Sequence, residues 1–466
     1  MYIGIFDVEW RRNSMKKFKR IAATALVATM AVAAFAGCGK KSSTSGEAKA
    51  LGVTDGGTVL NIRCWNEEFK NRVEAFYPGY EKVDDTTGKI GDVTVKFNIT
   101  PNDDNAYQNA LDEALKGQAD AKADDRVDLF LVEADYALKY VDTNYAVDVK
   151  ELGITDADIA NQYKYTQDIM TDSKGVLKGL SWQGCPGVLI YNKAIAEDVL
   201  GSSDPAEVQK AVADWDTFAA TAADMKEKGY FMVSGYDDTY RVFSNNVTSK
   251  WVVDGKINID ANIKAWVDQT KEFTDKGYNN KTSLWADAWS ANFAADGDVF
   301  CYFGPAWFVD FTLAQKDENK EYTNANAWSV TTGPQGFFWG GTWICAADGT
   351  DNKELIKDIM LKLTCDEEIM TNIVKDANDF VNNKPAMDAM AASDYTSAFL
   401  GMNPLPYYCA GVETIDMSNQ SAYDQGCTEE FQAAMKDYFD GNATYDEALA
   451  TFYEKIKAKY PDLKTE

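Results

Sequence analysis

Carboxylate and tryptophan side chains follow the predicted strands in the first third of the chain. Trp65, Asp103, Asp104, Glu133 and Asp135 all stand where a short apolar or alternating run ends. In a parallel α/β sheet, ligands bind beyond the carboxyl ends of the strands. Carboxylates accept hydrogen bonds from hydroxyl groups, and an indole ring stacks on flat apolar ring faces. The pattern therefore indicates a binding site for a ring-shaped ligand.

The absence of histidine bears on enzymatic function. The chain contains no histidine, which removes the commonest general base, the usual zinc ligand and the Ser-His-Asp triad. Catalysis would then need carboxylates, as in a secreted glycoside hydrolase, whose two carboxyl groups lie roughly 5 to 10 Å apart. No such acid and nucleophile pair is recognisable. We expect a binding protein with no catalytic residues, metal ion or cofactor, and keep the hydrolase as the enzyme alternative.

The charged residues favour a neutral ligand. The chain carries 46 basic and 73 acidic residues, of which residues 1–37 hold six and two. The strongly acidic remainder repels nucleic acid. It also has four arginines and eleven tryptophans, and arginine typically holds anionic ligands, whereas sugar rings stack on aromatic rings. This balance favours a sugar; a polyamine would also suit an acidic, aromatic cleft and stays open as the alternative.

The first part of the chain has the pattern of an exported lipoprotein. In residues 15–37 a basic cluster precedes an apolar run of about 15 residues, shorter than the 20 or so that span a bilayer. The small residues before Cys38 resemble the lipobox of bacterial lipoproteins, which implies cleavage there and a lipid anchor on Cys38 at the outer face of the cytoplasmic membrane; an ordinary signal peptide ending at a free thiol is the alternative. Residues 38–57 predict a flexible tether. Residues 1–14 look like a gene-model extension, with the true start at Met15.

The other cysteines predict buried free thiols. Their number is odd, they are widely scattered, and none forms a metal-binding spacing. Several lie in apolar runs, as is common for unpaired cysteine. They are Cys64, Cys185, Cys301, Cys345, Cys365, Cys409 and Cys427.

Strand and helix patterns alternate along the chain. TVLNIRCW reads as a buried strand and EEFKNRVEAFYP as a helix, and the alternation continues to DLFLVE. Such alternation predicts a parallel sheet with helices on both faces. A second α/β pattern begins with GVLIYNK at Gly187, includes a helix from about Asp214 to Lys228, and is followed by a helix-rich segment from Thr428 to Tyr460. We therefore predict two α/β lobes and a helical tail.

Four segments, in this order, resemble the solute-binding lipoproteins of bacterial ABC sugar importers, the class of the maltose-binding protein. They are GLSWQGCPGVLIYNK (179–193), WDTFAATAADMKEKGY (215–230), ANFAADGDVFCYFGPAWF (291–308) and GNATYDEALATFYEKI (441–456). The resemblance implies a periplasmic-binding-protein-like α/β fold, in which two discontinuous lobes are joined by three hinge crossings and close on a ligand in the cleft between them. It also implies an oligosaccharide receptor that is a monomer and delivers its ligand to ABC permease subunits.

The resemblance divides the chain as follows. Lobe 1 is expected at 58–182 and 306–365, lobe 2 at 186–303 and 370–466, and the crossings near 183–186, 302–306 and 364–369. The candidate ligand-binding residues are Trp65, Asn66, Glu67, Glu68, Asp104, Asp135, Trp182, Asp238, Tyr240, Trp285, Trp307, Trp339 and Trp343.

Several of these residues have a structural alternative. Trp65 either faces the cleft or fills the core, and Asp135 either binds hydroxyl groups or caps the helix that follows. Of Trp339 and Trp343, one is expected in the cleft and the other packed. Cys185 stands where maltose-binding relatives carry a glutamate, which argues against maltose as the ligand.

Overall fold

The computed structural model describes residues 50–465, so the predicted export signal, Cys38 and most of the predicted tether lie outside the described residues. In chain order the strands are β1 (Val59–Cys64), β2 (Tyr80–Lys82), β3 (Thr87–Ile90), β4 (Val93–Ile99), β5 (Leu129–Glu133), β6 (Leu180–Ser181), β7 (Pro186–Asn192), β8 (Val233–Gly235), β9 (Val252–Val253), β10 (Lys256–Ile257), β11 (Asn279–Thr282), β12 (Cys301–Gly304), β13 (Trp328–Thr331), β14 (Phe337–Phe338) and β15 (Thr342–Ala346).

Helices cover the faces of the sheets formed by these strands. They are α1 (Glu68–Phe76), α2 (Ala106–Lys116), α3 (Ala134–Val141), α4 (Lys164–Ile169), α5 (Lys193–Leu200), α6 (Pro205–Ala211), α7 (Trp215–Glu227), α8 (Tyr240–Ser244), α9 (Ala261–Lys276), α10 (Asp287–Ser290), α11 (Lys353–Thr364), α12 (Glu367–Ala377), α13 (Lys384–Ala391), α14 (Leu405–Val412), α15 (Asp424–Phe439) and α16 (Tyr445–Lys459). A π-helical turn, Phe308–Leu313, follows β12.

The first lobe is built on a sheet of seven strands in the order β2-β3-β4-β1-β5-β15-β6. Strand β1 lies parallel to both β4 and β5, which confirms the predicted parallel core. Strand β15 enters antiparallel between β5 and β6. The first four residues of β5, LFLV, are all buried, as is typical of a strand with both faces covered.

The second lobe is organised around β7, in which every residue is buried. Strands β12 and β13 pair antiparallel with β7 on its two sides, and β14 pairs with its first residues. Strand β8 pairs parallel with β11, and the Cys301 N–H bonds the Met232 carbonyl at 3.0 Å, so these strands extend the same layer.

Side-chain caps fix the predicted helices of this lobe. The carboxylate of Asp214 accepts the Thr217 N–H and the Thr217 hydroxyl accepts the Asp214 N–H, which forms a capping box before α7. Thr444 and Glu447 form the same arrangement before α16. The helix predicted after Asp214 and the helix-rich final segment are thereby confirmed.

The cysteines are free thiols, as predicted. Within residues 50–465, Cys64, Cys185, Cys301, Cys345 and Cys427 are buried and the other two are half-buried.

Three short segments lie side by side where the chain passes between the sheets. The first, 182–185, connects β6 to β7, and the second, 339–341, connects β14 to β15. The third, 379–382, runs antiparallel to the first: the Gly184 N–H donates to the Phe380 carbonyl at 2.9 Å. Both glycines of the second segment have positive φ, and a Cβ on Gly340 would lie 3.1 Å from the Trp307 indole nitrogen, so the close approach requires glycine.

The second and third crossings differ from the expected positions. At 302–306 the chain stays in the second lobe, because β12 pairs with β7 and β13 returns to the same strand. Segments 328–331 and 337–338 thus belong to the second sheet, although the division at 306–365 assigned them to the first lobe. Residues 364–369 join α11 to α12, and both of these helices pack against α1 of the first lobe.

The described end of the predicted tether docks on the first lobe. The Leu51 and Gly52 N–H groups donate to the two carboxylate oxygens of Asp348 at 2.8 and 2.7 Å. The Thr54 and Gly57 N–H groups bond the Thr350 and Asp351 carbonyls. The predicted tether therefore ends before residue 57. Its last residues form backbone hydrogen bonds with the first lobe, which composition alone does not predict.

Asn382 joins the third crossing to the first lobe through its buried side chain. Its Oδ1 accepts the Tyr163 N–H at 2.9 Å, and its Nδ2 donates to the Thr166 hydroxyl and the Ser181 carbonyl at 2.9 and 3.0 Å. The side chain has no solvent exposure.

Substitution of Asn382 tests how far the fold depends on this junction. Asn382→Ala leaves a buried N–H and a buried carbonyl without partners, so we expect the free energy of unfolding to fall by about 2–3 kcal/mol. Urea denaturation monitored by tryptophan fluorescence measures this loss. The exposed Asn442→Ala serves as the control and should change stability by less than about 0.5 kcal/mol. Equal stability of the two variants would contradict the expectation.

Candidate functional site

The cleft lies between strand ends contributed by the two lobes. In the first lobe Trp65 follows β1, and Asp135 lies in the first turn of α3 directly after β5. In the second lobe Trp285 follows β11 and Trp307 follows β12. Residues after β5 and residues of the second lobe line a common cavity, at the strand ends where α/β folds bind ligands.

Trp285, Trp307 and Trp339 form an aromatic cluster, of which Trp339 lines the inner cavity described below. The ring of Trp339 lies 5.1 Å from that of Trp307 and 5.9 Å from that of Trp285. The Trp307 indole N–H donates to the Trp339 carbonyl at 3.0 Å. Trp285 is 58% exposed and Trp307 is half-buried, whereas Trp339 is only 9% exposed. The cluster is fixed by its own contacts and still presents indole faces.

A bidentate ion pair spans the cleft from the first lobe to the second. The Arg241 Nη1 and Nη2 atoms of α8 lie 2.6 and 2.7 Å from the two carboxylate oxygens of Asp135 in α3. The guanidinium group also lies over the Trp339 ring, 5.8 Å from its centroid. Burial works to lower the pKa of Arg241, but the Asp135 carboxylate outweighs it and raises that pKa above its ordinary value. Arg241 is therefore a fixed positive charge in this cleft.

Glu133, rather than Asp135, caps the helix that follows β5. Its carboxylate accepts the Asp135 N–H at 2.8 Å, so the helix-cap alternative for Asp135 is wrong. Burial, and then the neighbouring Asp135 carboxylate, raise the pKa of Glu133 above its ordinary value. The carboxylate expected to bind hydroxyl groups is instead paired with arginine on both oxygens.

Two cavities flank the ion pair. An inner cavity of about 40 Å³ lies beside Trp289, Trp339 and Asp237. An outer cavity of about 110 Å³ lies between α3 and the second lobe, and its wall includes Leu138 and Asp424. Arg241 and Gln432 line both cavities.

A polar cluster lies at the hinge end of the cleft. The side-chain amide of Gln183 donates to Glu68 and to Asp379, at 3.1 Å in each case. The Arg72 Nη2 atom lies 3.5 Å from Asp379 and 3.6 Å from Glu68. Burial raises the pKa of Glu68 to about 7; Arg72 lowers it and Asp379 adds to the rise. Glu68 thus reaches the hinge but uses its carboxylate for internal contacts.

Four of the candidate residues lie inside the lobes. Trp182 stacks on Phe69 with the ring centroids 5.6 Å apart, and the Trp343 indole N–H donates to the Thr166 carbonyl. Of the pair Trp339 and Trp343, Trp339 is therefore the one at the cleft. The remaining two are Asp238 and Tyr240, which are almost completely buried but also line the inner cavity.

Asp238 and Tyr240 have structural partners that explain their burial. The carboxylate of Asp238 accepts the Ser234 and Gly235 N–H groups and the Trp289 indole N–H, each at 2.7 Å. The Tyr240 hydroxyl lies 2.9 Å from that of Thr428.

The candidates that follow β1 and β4 lie at or near the surface of the first lobe. Asn66, Glu67 and Asp104 are exposed. Asn66 accepts the Glu68 N–H at 3.0 Å, and Glu67 pairs with Lys70 at 2.9 Å. Trp65 is half-buried and packs edge-on against Tyr107, so it takes part in the core as well as the rim.

Among the polar residues that line the inner cavity, Arg241, Asp237 and Gln432 were not predicted from the sequence. Arg241 and Asp237 directly adjoin the candidates Tyr240 and Asp238, which line the same cavity. The scarcity of arginine could have singled out Arg241, which is one of four beyond residue 37. Gln432 lies on α15, where only its partner, the Asp237 carboxylate at 3.1 Å, distinguishes it.

Among residues 50–465, no helix is both long and apolar enough to cross a membrane. The same residues contain no group of three or more His, Cys, Asp and Glu side chains placed to hold a metal ion.

Residues 82–400 match the model of the bacterial extracellular solute-binding protein family, and the chain belongs to this family. It is therefore a solute-binding protein of the extracellular class. A comparison with curated proteins gave no match.

Solved structures show the same two-lobed, periplasmic-binding-protein-like fold. An extracellular solute-binding protein of family 1 is 16% identical, with a TM-score of 0.68, over 85% of this chain and 99% of its own. The ABC-transporter-associated binding protein of B. animalis subsp. lactis, solved with β-1,6-galactobiose, is 15% identical, with a TM-score of 0.61, over 88% and 100%. The sugar-binding protein MalE of Xanthomonas citri is 14% identical, with a TM-score of 0.63, over 86% and 96%.

The pKa of Asp237 gives a pH-dependent prediction. Burial, and then the Asp238 carboxylate, raise it from 3.8 to about 6. A carboxyl group whose pKa is higher in the folded chain favours folding while protonated, so its contribution is full below about pH 4 and is lost as the pH rises past 6.

Asp237→Asn keeps the acceptor for Gln432 and removes the titration. We expect the variant to exceed the wild type in free energy of unfolding by about 1–2 kcal/mol at pH 7.5, and this gain to vanish near pH 4. Urea denaturation at both pH values measures it. The exposed Asp120→Asn should show no such difference. A gain independent of pH would contradict the assignment.

Proposed function

We propose that this protein is a non-catalytic receptor for a neutral carbohydrate, with an oligosaccharide as the expected ligand. The observation that carries this proposal is the aromatic cluster of Trp285, Trp307 and Trp339, in which Trp339 lines the inner cavity together with Asp237, Arg241 and Gln432. Indole rings stack on the C–H faces of sugar rings, and amide and carboxylate groups accept or donate hydrogen bonds to hydroxyls. A cluster that presents more than one indole face favours a ligand with more than one ring.

The proposal extends to the partner of this receptor. A ligand that contacts both lobes would stabilise their closed arrangement, and ABC permease subunits would then accept the closed receptor. Two of the similar structures support this proposal. One is an ABC-transporter-associated binding protein solved with β-1,6-galactobiose, and the other is a sugar-binding protein. We propose a monomeric receptor, since each chain contains both lobes of the cleft.

A cationic solute such as a polyamine is the second candidate. The carboxyl groups of Asp237 and Asp424 face the two cavities, and burial raises the pKa of each to about 6. An ammonium group would compensate these buried carboxylates, which a neutral sugar would not.

A thermal-shift screen of the mature protein separates the candidates. Neutral mono- and oligosaccharides form one panel, and spermidine, other amines and amino acids form the other. A ligand at about 100 times its dissociation constant adds roughly 2.7 kcal/mol to the free energy of unfolding, which raises the midpoint. A shift with one glycan series supports the sugar receptor, whereas a shift with amines alone would replace it by the second candidate.

Removal of the exposed indole tests the role of the aromatic cluster. With the sugar that gives the largest shift, Trp285→Ala and Trp307→Ala should each weaken binding by roughly 1–3 kcal/mol, measured by titration calorimetry. Trp285→Ala should leave the melting temperature nearly unchanged because that ring is 58% exposed. Tyr445→Ala is the aromatic control on α16, outside both cavities. Unchanged affinity in the tryptophan variants would remove the cluster from the binding site.

We also propose that the protein is exported and held at the outer face of the cytoplasmic membrane by a lipid on Cys38. Metabolic labelling with a fatty acid should mark the wild type and the thiol control Cys409→Ser but not Cys38→Ser, because only Cys38→Ser lacks the atom that carries the lipid. Immunoprecipitation of the labelled protein measures the difference. A labelled Cys38→Ser protein, or an unlabelled wild type, would argue against the anchor.

A further inference from the structure

The ion pair of Asp135 and Arg241 is the starting point, because each partner is fixed to a different lobe. Asp135 lies in the first turn of α3, which Glu133 caps directly after β5. Arg241 lies on α8, and its guanidinium group rests over the Trp339 ring. Since neither charge sits on a mobile loop of its own, the pair couples the positions of the lobes.

The geometry of this pair is that of a strong contact. Two parallel N–H···O bonds of 2.6 and 2.7 Å join the guanidinium and carboxylate groups. Such bidentate, charge-assisted pairs are roughly twice as strong as neutral hydrogen bonds. The side chains of Arg241 and Asp135 are 26% and 35% exposed, so water and salt screen them less than a pair on the open surface.

The pair also occupies the space that a ligand would need. Arg241 lines both the inner cavity of about 40 Å³ and the outer cavity of about 110 Å³, and Asp135 lines the outer one. The guanidinium group covers part of the Trp339 face and both Asp135 oxygens, which are the surfaces that would stack on and bond a sugar.

We infer that Asp135 and Arg241 form an interlobe latch: the chain's own charges favour the closed arrangement, and a ligand must part the pair to enter the cleft. The inference rests on ligand binding in this cleft, as proposed above, but not on the ligand being a sugar. Arg241 then stabilises the closed arrangement, and the arginine and the ligand compete for the carboxylate of Asp135.

Small-angle X-ray scattering of the purified mature protein, with no ligand added, tests the latch. At low salt, about 0.02 M NaCl, the wild type should have a smaller radius of gyration than Arg241→Gln and Asp135→Asn. The double variant should be no larger than either single variant, because one interaction cannot be lost twice. Raising NaCl to about 0.5 M should expand the wild type towards the variants and leave the variants unchanged.

Control variants keep the result interpretable. Asp198→Asn makes the same charge change in a pair with Lys228 that lies within the second lobe, 3.2 Å apart, and should not alter the radius of gyration. Arg241→Lys keeps the charge without the two-pronged geometry and should give an intermediate value. Circular dichroism of each variant verifies folding, and the salt response of the wild type tests the latch without any substitution.

A radius of gyration that is the same for wild type, Arg241→Gln and Asp135→Asn at both salt concentrations would overturn the inference. So would an Asp198→Asn variant that expands as much as Arg241→Gln, because that would indicate a general effect of charge rather than the loss of this pair. No ligand takes part in this measurement, so failure to bind sugars and absence of a latch are separate results.

Discussion

Hydrogen bonds among the three crossing segments are the constraint on which the cleft depends. The Gly184 N–H bonds the Phe380 carbonyl and the Trp339 N–H bonds the Cys185 carbonyl, so the three segments are tied to each other before they enter the lobes. Cys185 adopts a φ of 50°, and both glycines of the second segment also have positive φ. Rotation about a few such residues moves whole sheets, since the first two segments lead directly into β7 and β15 and the third leads into α13. The tryptophans and charges of the two lobes meet only because this junction sets their distance.

The cleft combines two kinds of surface that usually serve different ligands. Indole faces favour apolar ring faces, whereas a guanidinium group in the same place favours carboxylates and aromatic rings. Because Arg241 already uses both Asp135 and Trp339, the net free energy of binding any ligand is the gain from its own contacts minus the loss of these internal ones. If ligands bind in this cleft, as proposed, the protein would discriminate between them by how well each one replaces both the pairing and the stacking of Arg241. A ligand that offers only one of these two interactions would be rejected more strongly than contact area alone suggests.

Much of the fold could be predicted from local pattern, because the signal for β5, β7 or the capped helix after Asp214 lies in adjacent residues. Pairing between distant segments has no such local signal. The sequence therefore does not show that β13 and β14 join β7. For the same reason the Gly-Pro turn after β12 was predicted to be a crossing, although it leads only into a helical turn. The site shows the same limit. The carboxylate of Asp238 is saturated by neighbours that the fold supplies, and that of Asp135 by an arginine 106 positions away. The aromatic candidates divide in the same way: Trp285 and Trp307 remain accessible in the turns after β11 and β12, whereas Trp182 and Trp343 pack inside the first lobe.

The docking of residues 51–57 on the first lobe would limit the distance between that lobe and a lipid anchor at Cys38. Asp348, which holds Leu51 and Gly52, follows the end of β15, and that end lies at the edge of the sheet opposite the cleft because β15 runs antiparallel to β5. Twelve residues separate Cys38 from Leu51, and even fully extended they cover at most about 45 Å. With a lipid on Cys38, as proposed, the lobe would be confined to a shell of this height above the bilayer, with its tethered edge nearest the lipid and its cleft directed away from the attachment point. If the seven docked residues were undocked, they would add roughly 25 Å to the distance that the lobe can reach from the bilayer. The backbone contact would therefore limit where an anchored receptor can meet a permease.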